Sequence, residues 1–258
     1  MRLGIITDIH ENAEKLESAL KNASLAKCDE LVCLGDIVGY DLRFYRFESK
    51  RSAKKCIELI RSSCKWIVAG NHDLFAAGRL PQYSDGFSYP EEWFSMSPSK
   101  RKEISSGKVW CYEGDLQGDM GENEIAFLKD LPESIITRAP GAACFFSHYI
   151  YPDLTGSTTR YAERNYQFRE LWKFMDANEA SFAFSGHSHT SHTGFAYKGN
   201  GNRAGAYLKA IHSIPSDRFY LGNETVVVML PPLSGESGKT GFTVFDTENR
   251  ELNIISIR

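Results

Sequence analysis

Asp8, His10, Asp36, Asn71, His72, His148, His187 and His189 are the residues of this chain whose types and spacing could do chemistry. They fall in five short motifs: Asp8-Ile9-His10, Gly35-Asp36-Ile37-Val38-Gly39, Gly70-Asn71-His72-Asp73, the single His148, and Gly186-His187-Ser188-His189. Carboxylate and amide oxygens together with imidazole nitrogens are a donor set that divalent transition metals take. Asp8 and His10 are two residues apart, so at the end of a strand they share a face and can grip one cation. Asp36 offers two carboxylate oxygens, enough to bridge two cations, and Asn71 adds a neutral carbonyl. His187 and His189, again with one residue between them, can address two different cations from one turn. Two such cations about 3.5–4 Å apart lower the pKa of a bridging water from about 15.7 to about 7 and clamp the attacking and leaving oxygens of an in-line displacement. That is the chemistry of phosphate-ester hydrolysis. His72 is left over from the ligand count and is read as the general acid for the leaving alkoxide, with Asp73 beside it to orient the ring.

The donors need rigid supports, and each motif follows a short apolar run. Residues 3–7, 31–34 and 66–69 read as buried strands. Between them, residues 11–27 (Ala13, Leu16, Leu20, Ala23) and the stretch carrying Ala53, Cys56, Ile57 and Ile60 have helical spacing. Strand, helix, strand, helix, strand predicts a parallel sheet backed by helices. Residues 74–130 break that rhythm with Pro81, Tyr83, Phe87, Tyr89, Pro90, Trp93, Phe94 and Trp110, and read as an irregular excursion that returns to helical spacing at 122–131. A strand at 142–146 leads to His148, a helix over 160–178 carries the stripe Tyr161, Phe168, Leu171, Trp172 and Met175, and a strand at 182–184 leads to Gly186. Short β-rich runs follow at 195–197, 207–211, 225–230, 242–245 and 252–257, separated by turns as an antiparallel second sheet requires. Gly35, Gly70 and Gly186 stand where a missing Cβ permits positive φ and close approach.

The 258 residues, 42% hydrophobic, are enough for one α/β domain spanning 1–258. A net charge of −3 argues against a nucleic-acid-coating protein, against a nuclease with a basic groove and against a polybasic membrane-surface protein. The apolar runs are too short to span a bilayer, and residues 1–6 lack the length and cleavage site of a signal peptide. Six cysteines without a C-x-x-C pair read as buried reduced thiols and point to the cytoplasm.

The ordered set of five motifs resembles that of the calcineurin-like metallophosphoesterases, and Gly35-Asp36-Ile37-Val38-Gly39-Tyr40 is similar to their small bacterial phosphodiesterase branch. A Pro/Gly/Ser turn such as Pro231-Pro232-Leu233-Ser234-Gly235 before the last two strands is also similar to that branch. The resemblance implies a four-layer α/β/β/α sandwich with the excursion as an irregular insertion. It implies Asp8, His10 and His189 on one divalent metal, Asn71, His148 and His187 on a second, Asp36 between them, and His72 as proton donor. The metals are those the family draws on: manganese, iron, zinc or nickel. The substrate implied is a small phosphate ester, with diesters favoured over monoesters and a nucleoside polyphosphate as the alternative. Glu11, Tyr149 and Asp41 stand where the family commonly has a small residue, which bears on substrate access rather than on the ligands. The Asp-Arg-Gly extension of the Ser/Thr protein phosphatases is missing. A catalytically silent scaffold on the same fold, as in the retromer subunit, would show lost ligands, and none is lost.

Each donor also has a plainer reading. Asp8 alone would serve as the N-cap of the following helix, and His192 and His212 read as structural. Arg160, Arg164, Arg169 and Lys173 read as a solvated helix face, with Arg160 near enough in sequence to touch a substrate phosphate and Tyr149 placed to screen it. The aromatics at 83–94 read as the excursion's own core, or as a platform for a base. Gly238-Lys239-Thr240 lacks the glycine five positions earlier that a phosphate-binding loop requires, and Gly199-Asn200-Gly201 reads as a hairpin turn.

Overall fold

The computed structural model describes residues 1–199, 208–235 and 240–257. The early part of the chain follows the expected alternation. Strands β1 (Arg2–Ile6), β2 (Glu30–Cys33) and β4 (Trp66–Ile67) are parallel neighbours, with α1 (Ala13–Leu25) and α2 (Ala53–Ser63) as crossovers. Asn12, whose side chain accepts from the Lys15 amide at 3.1 Å, caps α1. That removes the capping reading of Asp8.

Residues 74–130 contain little regular structure beyond α4 (Pro98–Ser105), which follows α3 (Asn71–Ala76), and β5 (Asp115–Leu116), which pairs with β3 (Tyr40–Asp41). Phe87, Tyr89 and Trp93 pack edge to face at centroid distances of 4.9–5.5 Å, so this part of the aromatic cluster is a local core. The excursion ends in α5 (Glu122–Asp130), whose Leu128 joins the helices on the first sheet.

The second sheet holds β6 (Ser134–Ala139), β7 (Ala142–Ser147), β8 (Phe182–Ser185), β9 (Thr193–Tyr197), β10 (His212–Ile214) and β12 (Val226–Met229), in the order β10-β9-β12-β8-β7-β6. It is mixed rather than antiparallel, because β7, β8 and β12 run parallel. The late strands divide between the sheets. β11 (Arg218–Tyr220), β13 (Gly241–Asp246) and β14 (Glu251–Ser256) return to the first sheet, where β13 lies antiparallel to β1 in the order β11-β14-β13-β1-β2-β4. The strand expected at 207–211 lies partly outside the described residues, as do the turn at 199–201 and the stretch 238–240.

Period-two alternation in doubly buried strands builds the layers. Leu3, Ile5, Phe146, Phe182, Phe184, Val226 and Val228 fill the space between the sheets. Ile6, Cys33, Phe242 and Val244 face α1 and α2 on one outer side. Phe145, Ala183, Val227 and Met229 face Leu171 and Met175 of α6 (Arg169–Ala177) on the other. The architecture is a four-layer α/β/β/α sandwich. The helix expected from residue 160 begins at Arg169 after a 3-10 turn at Asn165–Phe168, so Tyr161 is not part of its stripe.

Candidate metal centre

All five motifs leave the C-terminal ends of parallel strands: β1, β2 and β4 in the first sheet, β7 and β8 in the second. Their loops are tied to one another by backbone hydrogen bonds. The amides of Ile9 and His10 donate to the Asp36 carbonyl at 2.8 and 2.9 Å, and the Ser234 amide donates to the Asp8 carbonyl at 3.0 Å. Left-handed backbone is concentrated here in residues other than glycine: Asp8 (φ 53°), His10 (46°), Glu11 (66°), Asp36 (51°), His187 (60°) and His189 (43°). Such conformations cost roughly 1–3 kcal/mol each and persist where the surroundings over-determine them. Gly35 has the expected positive φ (+92°), and a Cβ there would lie 2.3 Å from the Gly70 amide nitrogen. Gly186 serves close approach instead, since its Cβ would lie 1.9 Å from Thr7 Oγ1, and Gly70 has an ordinary φ of −93° as the N-cap of α3.

Asp8, His10, Asp36, Asn71, His148 and His187 are all buried, and His189 is partly open. His189 Nε2 lies 3.1 Å from Asp8 Oδ1 and 3.2 Å from His10 Nε2. Asp36 Oδ2 lies 3.0 Å from His148 Nε2 and 3.7 Å from His10 Nε2, between the two groups. His187 Nδ1 lies 3.1 Å from Asn71 Oδ1. His10 Nδ1 and His148 Nδ1 each lie 2.8 Å from a backbone carbonyl, of Gly39 and Leu34 respectively. A carbonyl only accepts, so both rings carry their proton on Nδ1 and turn Nε2 inward. His148 Nε2 is buried and meets no hydrogen-bond geometry, although Asp36 Oδ2 is 3.0 Å away. A buried ring nitrogen without a hydrogen bond, among converging imidazole nitrogens and carboxylate oxygens, fits a divalent cation.

The charges agree with this arrangement. Burial opposes ionisation of Asp8, but His189 and His148 hold its carboxyl well below the usual range. Burial likewise opposes the charge on Asp36, and His148 and His72 outweigh it. Burial pushes His10 down to about 4 and, with the neighbouring His148, His187 down to about 3, which keeps both rings neutral as ligation requires. Burial opposes the charge on His148 too, but Asp36 and Asp8 lift it to about 9, so a cation there would displace the proton from its Nε2. Ligand atoms of Asp8, His10 and His189, and those of Asp36, His148 and His187, lie within 4.8 Å of one another in each group.

A family model described as calcineurin-like phosphoesterase matches residues 1–191. The chain belongs to the calcineurin-like phosphoesterases. Its fold is similar to that of a metallophosphoesterase from Sphaerobacter thermophilus, with a TM-score of 0.65 at 20% identity over 100% of this chain and 88% of that one. A hypothetical protein from Pyrococcus horikoshii matches with a TM-score of 0.58 at 13% identity, over 100% and 88%. An uncharacterised protein of Methanocaldococcus jannaschii is 22% identical over 266 residues, covering 99% of this chain and 86% of that protein. This phosphoesterase is a metal-dependent hydrolase of phosphoric esters, and no helix among its described residues is long and apolar enough to cross a membrane.

Over the donors of the phosphoesterase opens a cleft of about 370 Å³. His72 lines it, with Nδ1 2.6 Å from Asp115 Oδ2. Burial opposes the imidazolium, but Asp115 and Asp36 overcome that and lift His72 to about 10. The carboxylate on the ring is therefore Asp115, not Asp73. Asp73 instead accepts from the amides of Ile37 (2.9 Å), Val38 (3.1 Å) and Gly70 (3.0 Å), fixing the loops on either side of Asp36.

Two other expected contacts fall away from the cleft. Arg160 is exposed and bound to Asp85 at 2.8 Å, and Tyr149 is buried, its hydroxyl accepting from the Ala162 amide at 2.7 Å and its ring packing 4.9 Å from His187. Glu11 does not edge the site as a free carboxylate, since Arg51 holds it at 2.7 Å. The cleft walls are Phe44, Tyr45, Trp110, Tyr112 and Tyr161, with Asp41 and Arg43. Of these, only the departure at Asp41 had been visible as a signal in the sequence.

Proposed function

We propose that this phosphoesterase is a dinuclear enzyme that cleaves phosphodiesters in preference to phosphomonoesters. Asp8, His10 and His189 would hold one cation, Asn71, His148 and His187 the other, with Asp36 shared between them. The observation that carries this reading is the position of Asp36 Oδ2, 3.0 Å from His148 Nε2 in one group and 3.7 Å from His10 Nε2 in the other. The mixed oxygen and imidazole set suits manganese, iron, zinc or nickel. Bound there, the cations neutralise phosphate charge and supply water of lowered pKa.

The remaining tasks fall to the chain. His72, held through Nδ1 by Asp115, stands in the cleft wall to protonate the leaving alkoxide. Arg43 is the only lysine or arginine lining the cleft among the described residues, and Asp41 occupies its guanidinium at 2.5–3.0 Å. The second charge of a monoester and the further charges of a nucleoside polyphosphate therefore find little compensation. A singly charged diester suits the walls better. The substrate is a small molecule, and the six unpaired cysteines support a cytoplasmic setting.

The test is hydrolysis of bis-p-nitrophenyl phosphate beside p-nitrophenyl phosphate by metal-stripped protein with manganese returned. The expected result is manganese-dependent turnover, faster for the diester, with kcat falling about 10²–10⁴-fold in His72→Ala. A monoester preference would overturn the diester reading, and binding of one cation per chain would overturn the dinuclear one.

A further inference from the structure

We infer that the diester carries a planar aromatic substituent of the nucleobase class, stacked on the aromatic rim of the cleft at Phe44 and Tyr161; this rests on the phosphodiesterase reading above. Phe44 is 62% exposed and Tyr161 is 41% exposed, yet both line the cleft over the metal donors. Large aromatic rings left in water forgo the gain of burying apolar surface, and a bound base recovers it.

The two rings reach the rim from unrelated segments, and each is braced. Tyr161 lies in the stretch between β7 and α6 and is stacked on His187 at 5.4 Å and 15°, so its plane is set by a donor of the metal centre. Phe44 follows β3, with the Arg43 guanidinium 5.3 Å from its centroid. Deeper in the cleft, Tyr112 is stacked on Phe75 at 4.1 Å and 15°, which fixes that wall. Rings held in one orientation lose little freedom on binding, and every base has a flat face that can stack on such a ring. Charge narrows the class further. With Arg43 already bound by Asp41, the rim offers no free cation among the described residues, so the substituent that stacks there is uncharged: a nucleoside attached through the one phosphate that meets the metals.

The experiment compares two diesters that share the p-nitrophenolate leaving group. One is thymidine 5′-(p-nitrophenyl phosphate) and the other is methyl p-nitrophenyl phosphate, each given to the manganese-loaded full chain. The nucleoside ester is expected to have a kcat/KM on the order of 10-fold higher, mostly through KM. In Phe44→Ala that preference should collapse toward unity, and in Phe44→Tyr it should persist. Phe44 is exposed enough that neither change disturbs the core. Equal kcat/KM for the two esters in the unsubstituted protein overturns the inference and leaves the phosphodiesterase standing. Turnover of neither diester overturns the reading beneath it. A nucleoside preference that survives Phe44→Ala overturns the assignment to this rim.

Discussion

Asp115 governs the proton on His72 from 43 positions away in the sequence. It acts on the ring of His72 through Nδ1, so Asp115→Asn is expected to lower kcat about 10–100-fold while KM stays nearly constant. Asp73→Ala should act differently. It removes three buried backbone partners and is expected to cost about 3 kcal/mol or more, read as a lower midpoint in urea. If Asp73→Ala kept full stability and lost activity as Asp115→Asn does, the two roles would be reversed. The metal donors were legible because a strand end places ligands two residues apart, as at Asp8/His10 and His187/His189, which compresses the chemistry into local sequence. Asp115, Tyr112 and Tyr161 were not, since no spacing records what an irregular segment brings over a site. Arg160 failed as a substrate contact for a related reason: nearness in sequence to His148 said nothing about Asp85, which binds it.

At the scale of elements, Asp119 ties the excursion to the helix layer at the start of α2. Asp119 accepts from the Ser52 hydroxyl (2.7 Å) and from the amides of Ala53 (2.6 Å) and Lys54 (3.3 Å) at the start of α2. Partial burial opposes its charge, but these donors outweigh it and hold the carboxyl below its ordinary value. A depressed folded pKa means stability that is present above the unfolded value near 3.8 and lost as pH falls through the folded one. Asp119→Ala is therefore expected to cost about 1 kcal/mol at pH 7, with denaturation midpoints converging with those of the parent at the acid end. A gap independent of pH would remove the carboxylate from the explanation. Buried strands such as β8 and β12 could be read from unbroken apolar runs. β6 and β11 could not, because they are only partly buried and their mixed composition resembles that of loops. The helix over 160–178 was read too long because Tyr161 happened to fall in phase with Phe168 and Leu171, while Arg164 bridges to Lys209 in extended form.

For the whole molecule, the convergence of Asp8 and Asp36 with four histidines predicts that folding and metal loading are linked. Stripping with a chelator and returning manganese at about 100 times its dissociation constant should stabilise the fold by about 2.7 kcal/mol per site, raising Tm by about 5–10 °C. An unchanged Tm with metal bound would mean that the donors are equally available in the unfolded chain. The division of late strands between two sheets lay beyond local reading, since β12 and β13 are similar apolar runs that pair with β8 and β1, partners 44 and about 240 residues away. The second of those pairings has a consequence for how the molecule comes into being. The match to the family ends at residue 191, yet β1, which leads into Asp8, is bordered by β13, with Gly4 opposite Val244 and Ile5 opposite Thr243. During synthesis every donor has left the ribosome by His189, while one edge of the strand that aims the first of them stays bare until residues 241–246 emerge. A nascent chain stalled before that point should remain sensitive to protease, and the enzyme should acquire its activity only once residues 241–246 have emerged.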